Sequence, residues 1–186
     1  MANICEFNMA LRGRKENIEE FLLNMQQKKE PYMGRGAWVS SNIEWQEPDD
    51  NGNTFVCFFG DCKWSVHSSM IDNAISMRTT PNKWSFSKGV RAEDLSFVTL
   101  DENCKRLHLS MEVYSKEPGC AFQEHIRYVA DTEEYSDDCC EYFEYFFDDF
   151  DTKEEAEEEY GITLTDTEFN NGYLESGGYD SWDFEI

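Results

Sequence analysis

DDCCEYFEYFFDDFDTKEEAEEEYG fills residues 137–161, and its reading decides how the acidic end of the chain folds. With a period of two it puts acids and aromatics on both faces, which suits a half-buried strand poorly. With the helical period, Cys139, Phe143, Phe146 and Phe150 fall at i, i+4, i+7 and i+11. Glu141, Glu144, Asp148 and Asp151 fall at i, i+3, i+7 and i+10. The spacing predicts a helix with one apolar and one acidic stripe, capped by Ser136, with Asp137 and Asp138 in its favourable first turn. Thr152 and Glu155 form a capping-box pattern that starts a second helix, and Gly161 ends it.

Outward from this stretch the charge is lopsided. The 186 residues carry a net charge of −23. Residues 1–130 hold 18 acids and 15 bases, net −3, whereas residues 131–186 hold 21 acids and only Lys153, net −20. A field of that sign repels nucleic acid, anionic membranes and phosphate substrates, and attracts basic protein surfaces. Aromatics make up 15% of the chain, too many for a disordered acidic tail. Seven scattered cysteines make a poor disulfide framework. With no apolar signal core and no run long enough to span a bilayer, the reading is a reduced, cytoplasmic protein.

The remainder reads as α+β. In residues 4–11, Cys5, Phe7, Met9 and Leu11 share one face of a strand, and Ile18, Phe21, Leu22 and Met25 then trace a helix face. Strands follow at 37–45 and 54–59, joined by a hairpin turn at Asn51-Gly52. Val66, Met70, Ala74 and Met77 suggest a short helix, and TTPNKWSFSKG a loop. Leu100, Cys104 and Leu107 mark a helix over 93–107, and two strands follow at 107–114 and 121–129. Near the end, Asn171-Gly172 offers a turn, and Trp182, Phe184 and Ile186 alternate with Asp183 and Glu185 in strand fashion. Helices on one face of an antiparallel sheet are the expected architecture. The domain expectation is a scaffold at 1–130, with 131–186 as an acidic helical extension packed on it or continuing it.

Three stretches, MANICEFNMALRGRKENIEEFL, GDCKWSVHSSM and MEVYSKEPGCAFQEHIRYV, resemble the YubB-type ferredoxin-like domain family, small proteins of phages, plasmids and gut bacteria. The third is the most specific; in the first, Ile4 stands where a Trp is common. The resemblance implies a ferredoxin-like sheet for residues 1–130 and a mobile-element setting. It brings no catalytic residues.

The chemical candidates are thin. Cys57, Cys62 and His67 lack the tight cysteine pairing and fourth ligand of structural zinc. DDNGN at 49–53 lacks the ligand order of a calcium loop. Cys139-Cys140 are adjacent and bond only with strain. Cys120, Glu124 and His125 could define a small enzyme or metal-dependent site, but strand alternation points Glu124 and His125 to opposite faces. No cofactor or metal is expected.

The leading expectation is a non-enzymatic inhibitor that mimics nucleic acid, anti-CRISPR-like, directed at a basic nucleic-acid-binding protein such as a defence nuclease. Its partner-binding residues would be Asp137, Asp138, Glu141, Tyr142, Glu144, Tyr145, Asp148, Asp149, Asp151, Glu154, Glu155 and Glu158. Charge reversal in that stripe is expected to abolish binding while 1–130 stays folded. An enzyme at Cys120/Glu124/His125 and a soluble accessory domain are the other classes considered.

Overall fold

The computed structural model describes residues 4–26, 38–72, 99–179 and 182–186. The elements are β1 (Ile4–Gly13), α1 (Lys15–Gln26), β2 (Trp38–Val39), β3 (Glu44–Trp45) and β4 (Thr54–Lys63), then a π-helical turn at His67–Asp72. After it come α2 (Leu100–Leu107), β5 (Ser110–Glu117), a 3-10 turn (Pro118–Cys120), β6 (Phe122–Val129) and β7 (Glu134–Phe146). The chain closes through α3 (Lys153–Tyr160), α4 (Asp166–Asn170) and β8 (Tyr173–Gly177). The protein is α+β. Its strands run in the order β2-β4-β1-β5-β6-β7-β8, with β3 also on β4, and the pairs are antiparallel. Among the described residues no helix is long and apolar enough to cross a membrane.

Alternation in β1 sets the main core. Cys5, Phe7, Met9 and Leu11 are buried beneath Ile18, Phe21, Leu22 and Met25 of α1 and Leu100, Cys104 and Leu107 of α2. Both helices share this one cluster, so they cover the same face of the sheet. Each large side chain so buried contributes about 1.5–3 kcal/mol. Thr99 caps α2 in a full capping box with Glu102, and His108 ends it in the left-handed region. The β3–β4 turn is held by Asp49, whose Oδ1 accepts the N–H groups of Asn51 and Asn53, while Gly52 takes the positive φ of 75°. Residues 93–98, Ala74, Met77 and the TTPNKWSFSKG stretch lie outside the described residues.

The helix expected over 137–151 is a correction: residues 137–146 form most of the 13-residue strand β7, and 147–151 form the turn that follows it. Its first part pairs with β6, from Val129↔Glu134 to Phe122↔Glu141. Its last part pairs with β8, from Tyr142↔Gly177 to Phe146↔Tyr173. The proposed apolar stripe is not a buried one. Phe143 is 50% and Phe146 56% exposed, and Tyr142, at 1%, is the side chain that packs inward. Aromatics and cysteine favour the pleated surface, and two ready ladders satisfy the backbone as a helix would. Alternation also sends successive acids to opposite faces, where a helix would stack them at three- and four-residue spacings.

Two smaller expectations also change. Within the described residues 38–45, the strand read over 37–45 is reduced to the two-residue pieces β2 and β3, and 182–186 forms no strand. The second helix stands: Thr152 accepts the N–H of Glu155, and Gly161 closes α3 at φ 66°. Position 130 falls in the turn between β6 and β7, and the sheet runs on across it. Gly172 makes the turn into β8 at φ 80°, where a Cβ would meet Asp148 Oδ1 at 2.6 Å. Gly172→Ala should therefore cost about 1–2 kcal/mol from the left-handed backbone, read as a lower urea midpoint with an unchanged slope. An unchanged midpoint would contradict the placement of that turn.

Candidate functional site

The β7–β8 connection, residues 147–172, carries its own small apolar cluster. Phe147, Ala156 and Leu164 form its centre, with Tyr145, Phe150, Ile162, Phe169 and Leu174 against it. Tyr160 stands edge-on to Tyr145, Phe147 and Phe150, and its hydroxyl donates to Phe146 O at 3.2 Å. Glu157 Oε1 accepts the N–H of Leu164 at 2.8 Å and ties α3 to the segment that follows it. Thr165 and Glu168 then form a full capping box on α4. This lobe is a folded platform, and its outside is acidic.

Alternation, burial and pairing sort the expected binding residues into two groups. The first group is occupied within the fold. Asp137 contacts His67 Nδ1 and accepts the Tyr135 hydroxyl at 3.2 Å. Tyr142 is buried, and Tyr145 packs in the lobe cluster. Glu144 lies 2.7 Å from Lys116 Nζ, which also meets Glu175 at 2.5 Å and sits over the Tyr142 ring. The second group is exposed: Asp138 and Glu141 on β7, Asp148 and Asp149 in the turn after it, Asp151, and Glu154, Glu155 and Glu158 on α3. Among the described residues, the side chains of Glu141, Asp148, Asp149, Asp151, Glu155, Glu158 and Glu159 make no ion pair or hydrogen bond. The structure thus keeps the acidic surface but moves it from a single helical stripe to the lobe.

Helix α3 is charged against its own stability. Its first turn holds Glu154 and Glu155, which suits the dipole, but its last turn has no base. Glu158 and Glu159 sit there instead, in i, i+4 register with Glu154 and Glu155. Like charges so placed cost about 0.2–0.5 kcal/mol per pair. Lys153 is drawn aside by Asp166 at 2.6 Å, and the pair holds the lysine above and the carboxyl below their ordinary values.

Among the described residues, Lys116 is the one cation set into the acidic strand pair. Burial lowers its pKa, but the hydrogen bonds it donates to Glu144 and Glu175 outweigh that and raise it above 10.5. Burial lifts the Tyr142 hydroxyl to about 12 against the pull of Lys116. Because the folded-state value of Lys116 is raised, its contribution to stability is full below the unfolded value and is lost as the pH climbs through the folded one. Lys116→Met should therefore cost about 1–2 kcal/mol, between exposed and buried pairs, or roughly 2–8 °C in Tm. That deficit should be constant over about pH 6–9 and shrink at strongly alkaline pH. Melts of both proteins across pH check it; a deficit that grows with alkalinity would contradict the assignment.

The sheet itself separates the residues of the alternative catalytic reading. Cys120 is exposed at the end of the 3-10 turn. Glu124 is buried on the helix face, where its Oε2 accepts the Ser115 hydroxyl at 2.7 Å and the Val66 N–H at 2.8 Å. His125 lies on the other face, 2.7 Å from Glu112. Cys139 and Cys140 likewise diverge along β7, and Cys57 and Cys62 along β4. Among the described residues no three metal-ligating side chains converge.

Sequence reasoning missed Glu112, fully buried on β5. In LSMEVYS it alternates with apolar residues and reads as a solvent-facing strand acid. The only available signal was the run Trp182, Phe184, Ile186, which needs a surface to cover. Comparison of the chain with family models, curated proteins and solved structures gives no match.

Proposed function

We propose that the protein is a non-enzymatic acidic inhibitor that binds a basic, nucleic-acid-binding protein in the place of nucleic acid. The observation that carries this reading is the lobe: a packed platform of exposed carboxylates in which, among the described residues, Lys153 is the one cation and is taken up by Asp166. Acids three or four apart on α3 are separated by about 4.5–6 Å along the axis, whereas phosphates along one strand advance ~3.4 Å axially on a longer path around the helix. A groove of Lys and Arg shaped for phosphates can accept them. The self-repulsion in α3 is a cost to the fold that partner binding would relieve.

The order β4-β1-β5, with α1 and α2 on one face, supports the ferredoxin-like reading of residues 1–130. The YubB-type kinship, the phage or plasmid origin, a bacterial cytoplasmic setting and a defence nuclease as target rest on the sequence resemblance. The test uses the immobilised full chain and bacterial lysate. Proteins retained at low salt and eluted by added DNA or RNA should be nucleic-acid binders. Retention unaffected by nucleic acid would count against the proposal.

A further inference from the structure

The sheet face opposite the helices holds a constellation that the acidic lobe does not explain. Glu112 on β5 is 0% exposed. Its Oε1 lies 2.7 Å from His125 Nε2, and its Oε2 accepts the backbone N–H of Glu185 at 2.6 Å. The Tyr114 ring stacks on His125 with centroids 4.2 Å apart and planes 3° apart. Trp182 lies nearly parallel to Tyr114 at 6.0 Å, and Phe184 leans in at 5.8 Å. The Tyr114 hydroxyl donates to Asp183 O at 3.4 Å, and Arg127 Nη1 is 3.9 Å from Glu185.

Segment 182–186 lies over this face without joining it. It is not a strand and makes no backbone ladder with one. What holds it is a backbone N–H on a buried carboxylate, stacked rings and one acid near an arginine. Trp182, Phe184 and Ile186 are half-buried and Asp183 and Glu185 exposed, the alternation of an extended peptide read by pockets. A purely structural cover would be cheaper over an apolar residue, since a buried carboxylate loses its hydration. The segment also leaves space: beside Glu185 and Ile186 a cavity of about 330 Å³ opens toward Arg12, Asn51, His108 and Arg127.

We propose that the face around Glu112, Tyr114 and His125 is a binding site for an extended peptide of alternating aromatic and acidic residues on a partner protein, and that segment 182–186 fills it as a displaceable strap. Glu112 takes a peptide N–H, Tyr114 takes a ring, and Arg127 takes an acid. Tethering gives the strap a high effective concentration, so an incoming peptide must outcompete it. This site is independent of the acidic lobe.

The probe is a labelled synthetic peptide of residues 179–186, YDSWDFEI. The full-length variant Trp182→Ala/Phe184→Ala should bind it saturably and at least tenfold more tightly than the wild type. Adding Glu112→Gln to that variant should weaken binding at least tenfold. In the wild type, excess probe should speed hydrogen exchange across 182–186. A double variant with native near-ultraviolet dichroism that does not bind the probe would overturn the proposal, as would indifference to Glu112→Gln or unchanged exchange in the wild type. Wild-type dimers dissolved by the probe would assign the site to a second copy of this chain and overturn the partner assignment.

Discussion

Truncation after Ala130 should abolish cooperative folding. The cut removes β7, whose register with β6 runs from Val129↔Glu134 to Phe122↔Glu141. The β6 backbone then becomes an open edge, a template for aggregation. The second face suffers as much. Glu112 loses the Glu185 N–H, and Tyr114 loses Tyr179, Trp182 and Phe184. Gln123 loses the Tyr179 N–H that its Oε1 accepts at 2.8 Å. A buried carboxylate stripped of a partner costs several kcal/mol, a large share of the roughly 5–15 kcal/mol that holds a domain together. The fragment is expected to melt broadly, bind a hydrophobic dye and lose near-ultraviolet dichroism. A sharp urea transition with a midpoint like that of the full chain would contradict this account.

Reversing Asp148, Asp149, Asp151, Glu154, Glu155 and Glu158 to Lys in the full chain should weaken partner binding by more than a hundredfold. Each reversal adds two charges, so the net charge moves from −23 to −11. These side chains are exposed, so the fold should melt within a few degrees of the wild type. Closely set charge pairs across an interface couple by about 1.5–7 kcal/mol, and one lost pair at the low end already gives a tenfold effect. The control is a set of the same size on the other part of the chain: Glu6, Glu16, Glu19, Glu44, Glu47 and Asp50, all exposed. It changes the net charge equally and should leave binding within about threefold of the wild type, after allowing for long-range attraction screened over ~10 Å at 0.1 M salt. Equal losses from both sets would mean that bulk charge, not the lobe, drives association.

Much of the scaffold was legible because local pattern and tertiary demand agree there. β1 alternates cleanly, α1 carries one apolar face, Asn51-Gly52 marks a turn, and β6 separates Glu124 from His125 as alternation requires. The caps of α3 were also readable, since Thr152 and Gly161 act within a few residues of themselves. Segment 137–151 was not readable in the same way. Its residues fit both periods, and the deciding partners lie elsewhere: β6 supplies one ladder, β8 the other, and Lys116 gives Glu144 and Glu175 a shared cation. None of those is visible within the stretch itself. The acids of the candidate surface were identified by composition, but which of them stay exposed depends on the strand. Asp137, Tyr142 and Glu144 turn inward or pair, while Asp148 to Glu158 remain outside.

The most direct test of the central claim is competition between this chain and nucleic acid for one surface. Proteins held from bacterial lysate by the immobilised full chain would be challenged with rising concentrations of double-stranded DNA and of RNA, and the fraction released identified by mass spectrometry. Release of a nucleic-acid-binding protein, absent with the six-fold lobe variant, is the predicted result. A partner that stays bound to the chain while also binding the added nucleic acid would contradict it.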